Sequence, residues 1–335
     1  MKNNTDKVKR DYRADNDSAQ IFEDLLLDDS WTEMAEKDVA DMNKDKFGRP
    51  FEFSDRAVEW GMAYRAATGG SYRRALGAVN HFLRKHGHPE MSLTQFYDRA
   101  QTIAERAMCT CVVTDGRILA YGKGNVPPKT DVISAVDSTG ESLNKYGGWL
   151  MHRWNMKKIS GWIKLHTLID TGTGEVLSFV ITDESCGDVS CIELLVELAQ
   201  EAGHKLKRIL ADAAYDKIKL WKKYWEMGIE YVVNIKSSLL GKFSGGRVRS
   251  GGCPFRAAQI RSIRENGRDQ WKEAVGYGMR WKAECAFSDM KRMYGDTMRA
   301  RDSSRMAAEL YWIIRSHNLY KSIRAAVAGG RKIVS

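Results

Sequence analysis

The chain has 335 residues, 53 Lys and Arg against 43 Asp and Glu, and a formal net charge of +10, with 43% hydrophobic and 29% charged residues. That composition supplies a sizeable core and excludes wholesale disorder. No stretch approaches 18 consecutive apolar residues, so no membrane span is expected, and the opening MKNNTDKVKRDYRADNDSAQ lacks the apolar region of a secretory signal.

The charge is uneven. Residues 1–60 carry 10 basic and 16 acidic side chains, whereas the rest of the chain carries 43 and 27, a net of −6 against +16. A basic body suits a polyanionic partner, because Lys and Arg neutralise phosphates and release counterions. Taken alone, the charge fits a merely basic soluble protein equally well.

In chain order, residues 1–50 form an acidic, partly disordered segment. Within it Ile21, Phe22, Leu25 and Leu26, followed by Trp31 and Met34, fall at the spacing of a short amphipathic helix, and MNKDKFGRPFEF reads as a linker. Residues 51–110 read as a helical domain. Ser54 and Asp55 cap a helix running to about Ala67, Gly69 and Gly70 break it, and Ser71 caps SYRRALGAVNHFLRKHG. The apolar stripe of that second helix is Leu76, Val79, Phe82 and Leu83; after Gly87-His88-Pro89, Ser92 opens a third helix. Three short helices with a Gly/Pro turn before the last fit a helix-turn-helix arrangement for DNA, with Arg73, Arg74, Arg84, Lys85 and Arg99 as candidate DNA contacts. They fit a plain three-helix packing domain with a solvated basic face as well.

Residues 125–325 read as a second domain of mixed α/β class. DVISAVDST, WIKLHTLID and EVLSFVITD are β-branched runs, the last two joined by the turn Thr171-Gly172-Thr173-Gly174. The helical VSCIELLVELAQEAG, the strand RILADA, the helical YDKIKLWKKYWEMG and the strand YVVNI follow. The order β-β-β-α-β-α-β predicts a mixed sheet with helices on both faces. Residues 236–276 are Gly-rich and basic and read as a less regular insertion; helices are expected from about Gly276 to Arg292 and from Ser303 to Arg324.

The cysteines Cys109, Cys111, Cys186, Cys191, Cys253 and Cys285 include no C-x2-C pair with a His at finger spacing, and they read as reduced thiols of a cytoplasmic protein. No G-x4-G-K-[ST] loop is present, so no nucleotide cofactor is expected.

Three acids carry the chemistry. Asp137 interrupts the apolar run Ala135-Val136-Asp137, and Asp212 ends Ile209-Leu210-Ala211-Asp212. A carboxylate in an apolar strand is costly unless compensated, and strand ends of α/β sheets are where sites are built. Glu284 lies on a predicted helix where Tyr277, Arg280, Glu284, Ser288 and Lys291 fall within a wedge of about 80°. An exposed face with an Arg280–Glu284 ion pair explains those residues but leaves the two strand acids unexplained. Three carboxylates gathered together call for a cation: Mg²⁺ takes carboxylate ligands, and two such ions assist in-line phosphoryl displacement.

The residues Tyr277, Arg280, Glu284 and Lys291 match, at every spacing, the Y-x2-R-x3-E-x6-K signature of prokaryotic insertion-sequence DDE transposases, and the chain resembles that family over roughly residues 54–320. Asp137 in VDST and Asp212 in ADAAYD stand where the family has its first two acids, while Ala213-Ala214 departs from the more usual Lys-Gly-like pair. The resemblance implies a ribonuclease-H-like catalytic core preceded by a helix-turn-helix-like domain. It implies Asp137, Asp212 and Glu284 as catalytic residues and ligands of Mg²⁺ or Mn²⁺, two ions per site, with Tyr277, Arg280 and Lys291 on DNA phosphates. It further implies a homodimer on double-stranded DNA that cleaves at terminal inverted repeats and joins the 3′-hydroxyls to target DNA, in a nucleoid-associated setting and without a membrane.

The alternatives are a degenerate, non-catalytic DNA-binding repressor and, more remotely, a carboxylate-pair glycosidase. Among other residues, His166 reads as a neighbour of the acids or as a core histidine; Trp221 and Trp225 read as core; Asp188 and Asp216 read as helix caps; and Arg247, Arg249, Arg256 and Arg261 read as a DNA path or a solvated set.

Overall fold

Small polar residues placed just before apolar runs set the first elements, as the cap rules require. The structure, a computed structural model, describes residues 30–109, 118–143, 162–240, 250–300 and 302–328. The tail at residues 1–17, the run Ile21–Leu26, and Arg247 and Arg249 in the insertion lie outside the described residues. The chain divides into two compact units, Met1–Ala100 with Leu319–Ser335, and Gln101–Asn318. That division falls inside a helix, not at the 51–110 and 125–325 limits read from sequence.

In the first unit, helix α1 (Ser30–Asn43) extends into the segment read as a linker. Helix α2 (Asp55–Thr68) starts where the Ser54 hydroxyl accepts from the Ala57 N–H at 3.1 Å, and ends at left-handed Gly69 (φ 60°). Helix α3 (Tyr72–Lys85) is capped by Ser71, which accepts from the Arg74 N–H. Helix α4 (Leu93–Ala107) opens with a reciprocal box: Ser92 Oγ accepts from the Gln95 N–H at 3.2 Å, and the Ser92 N–H donates to Gln95 Oε1 at 2.8 Å. Buried Asn80 exchanges two 3.0 Å hydrogen bonds with the Met91 backbone, pinning the turn between α3 and α4. Val58, Met62, Val79, Phe82, Leu83 and Phe96 form the core, with Ala75 rather than Leu76 buried on α3.

The second unit is built on one mixed sheet. Its strands are β1 (Met108–Cys109), β2 (Ile118–Lys123), β3 (Val132–Leu143), β4 (Trp162–Asp170), β5 (Val176–Asp183), β6 (Leu206–Ala211), β7 (Glu230–Val233) and β8 (Thr297–Met298); the first seven lie in the order β1-β2-β5-β4-β3-β6-β7, and β8 pairs in parallel with the end of β3. Strand β4 runs antiparallel to both of its neighbours, β3 and β5, while β6 runs parallel to β3 and β7 parallel to β6. This is the mixed α/β sheet that the order of strands and helices predicts. Helices α5 (Ile192–Glu201) and α6 (Ile218–Glu226) make the crossovers. Buried Val, Ile, Leu and Phe fill both faces of β5, as a central strand covered on two sides requires.

The sequence reading omitted β1, β2 and β8. Strands β1 and β8 are two residues long, too short for any periodicity, and β2 is short with Gly122 inside it, where a Cβ would stand 2.8 Å from the Phe179 ring. The described part of the insertion from Pro254 onward is helical, not irregular: α7 (Pro254–Asn266) starts with Pro in its first turn and α8 (Arg268–Ala274) follows after Gly267 (φ 82°). Helix α9 (Trp281–Tyr294) is preceded by a 3-10 turn, Tyr277–Arg280, and α10 spans Ser303–Ala328. Among the described residues, no helix is long and apolar enough to cross a membrane.

Candidate active site

Register brings the first two acids together. In the parallel pairing of β3 with β6, Ser134 faces Ile209 and Ala135 faces Leu210. Continuing two places sets Asp137 beside Asp212, just past the end of β6, and paired positions of parallel strands point to the same face. Asp212 is held there by capping the turn Ala213–Tyr215: its carboxylate accepts from the Ala214 N–H at 2.8 Å. Asp137 accepts from its neighbour's amide, Ser138 N–H, at 2.9 Å.

The third acid comes from the helix lying along the same face of β3. Arg280 pairs with Asp137 at 3.3 Å and, one helical turn on, with Glu284. Lys291 donates to the Gly140 carbonyl at 2.8 Å and lies 3.7 Å from Glu141. Eleven residues of helix span about 16 Å and four residues of strand about 13 Å, so these two anchors lay α9 alongside β3. Glu284 remains exposed.

Burial raises the Asp137 carboxyl above the usual carboxylate range; the Ser138 amide and Arg280 oppose this, while the charges of Asp212 and Glu284 add to it. Burial works against the Arg280 guanidinium, yet Tyr277, Asp137 and Glu284 together hold its proton more tightly than usual. The site therefore gathers negative charge around one arginine.

Among the described residues, a single group brings three ligand atoms within 4.8 Å of one another, and it is His166, Cys186 and Cys191, not the acids. The carboxylates stand further apart, with Arg280 bridging Asp137 and Glu284. Their hard oxygen donors, and the raised proton affinity of Asp137, suit a hard dication such as Mg²⁺ or Mn²⁺.

The flanking members of the signature are occupied differently from the sequence expectation. Tyr277 is buried; burial pushes its hydroxyl up to about 12, and it donates to the Ala211 carbonyl at 3.1 Å, bracing the strand end that leads to Asp212. Lys291 is engaged with Gly140 and Glu141 as described. Arg99 is turned inward in the first unit, onto Asp55 and the Phe53 carbonyl, so it staples α4 to the start of α2. Arg73, Arg74, Arg84 and Lys85 are exposed on α3, with Arg84 lying 3.3 Å from Glu90.

Other sequence readings are corrected, and that of His166 resolves to a core histidine. Asp216 is no helix cap: it is a buried acceptor for Arg256 at 2.6 Å and for the Trp221 indole at 3.0 Å, which also removes Arg256 from any DNA path. Asp188 likewise makes no cap; its carboxylate takes Lys164 at 3.0 Å. Trp221 is buried but Trp225 is 56% exposed. His166 is fully buried on β4, opposite Ser138, and so points away from the face that carries Asp137. Thr167 lies directly opposite Asp137 on β4 and is buried.

Two solved structures share a low level of likeness with the chain: a cryo-EM structure of a piggyBac transposase synaptic complex with hairpin DNA (11% identity, 95% of this chain and 77% of that chain, TM-score 0.42) and a Drosophila P element transposase strand transfer complex (13% identity, 91% and 87%, TM-score 0.30). The family model described as "Transposase DDE domain" matches residues 128–319, which contain all three acids and the whole mixed sheet from β3 onward. That match spans more than half of the chain, and the protein belongs to the transposase DDE domain family.

Proposed function

We propose that the protein is an insertion-sequence transposase that binds the terminal inverted repeats of its element as a homodimer, cleaves the DNA at the element ends and joins the freed 3′-hydroxyls to target DNA. The observation that carries the reading is the convergence of a central strand, a strand end and a helix on Asp137: Asp212 lies beside it in register, and Arg280 joins it to Glu284.

Mg²⁺ or Mn²⁺ held by Asp137, Asp212 and Glu284 would supply charge neutralisation at the scissile phosphate and make an attacking oxygen easier to deprotonate. In this reading the remaining chemistry belongs to the chain. Arg280, now shared between two carboxylates, has guanidinium donors suited to phosphate oxygens. Tyr277 and Lys291 act as braces that hold β6 and β3 against the 3-10 turn and α9, so the acids keep their spacing. The exposed Arg73, Arg74, Arg84 and Lys85 of α3 supply phosphate contacts that position the DNA without reading its sequence.

The test is incubation of the full chain with a plasmid carrying the element's own ends, with Mg²⁺ and with chelator. Metal-dependent nicks at the ends, lost in Asp137→Asn, Asp212→Asn and Glu284→Gln variants that keep the wild-type circular dichroism spectrum, are expected. Equal nicking by all three variants would sink the proposal.

A further inference from the structure

Behind the acid site, on the opposite face of the sheet, lies a cluster that transposition as proposed does not use. His166 of β4 meets Cys186, in the loop after β5, and Cys191, at the end of the 3-10 turn Asp188–Cys191; all three side chains are buried. The two sulfurs are 3.8 Å apart. That is the edge of a tetrahedron: zinc–sulfur bonds of about 2.3 Å place two thiolates about 3.8 Å from each other.

The hydrogen bonds around His166 fix which nitrogen is available. The Thr182 hydroxyl donates to the Asp183 carbonyl at 2.9 Å, so its oxygen accepts from His166 Nε2–H, also at 2.9 Å. The imidazole is therefore the Nε2–H tautomer, and Nδ1 carries a bare lone pair. That atom is fully buried and has no hydrogen-bond partner. A buried acceptor left unmatched is costly, whereas a neutral imidazole whose far nitrogen is tied to a hydroxyl is the arrangement of a metal-bound histidine. Burial lowers the His166 pKa to about 4, which keeps the ring neutral.

We infer that His166 Nδ1, Cys186 Sγ and Cys191 Sγ form a second metal site, for a zinc-like borderline dication, structurally separate from the carboxylate site. Binding releases two thiol protons to solvent, and the two thiolates neutralise the dication. Asp188 Oδ1, 3.8 Å from Nδ1, is the nearest further donor, and Lys164 holds both that carboxylate and the Cys186 carbonyl at 3.0 Å. The site has a structural consequence. The turn Asp188–Cys191 packs against the turn Ala213–Tyr215 that Asp212 caps, so a metal here locks the support of the second acid. The C-x4-C spacing with a histidine 20 residues earlier escapes the C-x2-C rule because the third ligand comes from a neighbouring strand.

The experiment uses the reduced full chain, prepared anaerobically without metal and titrated with Co²⁺. Thiolate ligation gives an intense near-ultraviolet sulfur-to-cobalt charge-transfer band that carboxylate ligation does not. About one equivalent is expected to produce the band, and Zn²⁺ is expected to displace it. The band persists in an Asp137→Asn, Glu284→Gln variant and disappears in Cys186→Ser, Cys191→Ser. Thr182→Val, which removes only the hydroxyl behind His166, weakens Co²⁺ affinity by about 10-fold or more. A wild-type chain that is folded and reduced but shows no charge-transfer band overturns the inference. So does a band that survives the double serine substitution, and so does anaerobic protein whose Cys186 and Cys191 are recovered as a disulfide.

Discussion

Asp137 and Glu141 stand four residues apart on the same face of β3, and each faces a cation from the α9 side of the sheet: Arg280 for the first, Lys291 for the second. Arg280 lies 3.3 Å from its acid, whereas Lys291 stands 3.7 Å from Glu141 and makes a shorter hydrogen bond, 2.8 Å, to the Gly140 carbonyl. Glu141 is thus buried with weak compensation. Burial pushes it up to about 7, Asp296 adds to the rise and Lys291 opposes it. The unfolded chain releases this proton at the lower pH usual for glutamate, so the group's stabilising contribution is full below about pH 4.5 and is lost as pH rises through 7. Glu141→Gln, which cannot ionise, is expected to match the wild type near pH 4.5 and to exceed it in stability near about pH 8. Urea unfolding at both pH values measures the difference, and a variant less stable than wild type at the higher pH would mean that the Lys291 pair outweighs burial.

Among the elements, the first helices depend on a close approach that no cap signal announces. Gly61, mid-helix in α2, lies against α3 and α4; a Cβ there would stand 2.6 Å from the Val79 side chain and 2.7 Å from the Phe96 ring, both fully buried. Gly→Ala in a helix gains up to about 1 kcal/mol of propensity, but overpacking a closed core costs about 1–3 kcal/mol. Gly61→Ala is therefore expected to lower the stability of the helical unit, while Gly77→Ala on α3, with nothing within 4 Å, is expected to raise it. Thermal melts of the two variants check the contrast, and equal shifts would remove the packing argument. The same contrast explains what was legible in the sequence. Ser54, Ser71 and Ser92 announced three helix starts because a cap is a local bond within four residues, and the strand acids stood out because a carboxylate in an apolar run is an anomaly of composition. The burial of Arg256 on Asp216, the inward turn of Arg99 and the His166–Cys186–Cys191 cluster stayed hidden. Each draws in a partner from 20 to 44 residues away in sequence, and residue type alone does not reveal which way a side chain turns.

For the molecule as a whole, the charge split predicts how the proposed DNA binding responds to salt. Residues 1–60 carry a net −6 and the remainder +16, and the exposed cations of α3 belong to the positive part. If Arg73, Arg74, Arg84 and Lys85 each neutralise one phosphate, each contributes about 0.9 to the slope of log affinity against log salt concentration. Replacing all four by Ala is then expected to flatten the slope by about 3–4 and to weaken binding to cognate and unrelated DNA alike, since phosphate contacts carry no sequence information. Arg99→Ala should behave differently: its guanidinium is committed to Asp55 and the Phe53 carbonyl, so stability falls while the salt slope of the folded protein stays as in the wild type. Fluorescence-anisotropy titrations at several salt concentrations, alongside melts of both variants, separate the two roles. An unchanged slope in the quadruple variant would move the DNA contacts off α3, and a flattened slope in Arg99→Ala would return that arginine to the phosphate-binding set.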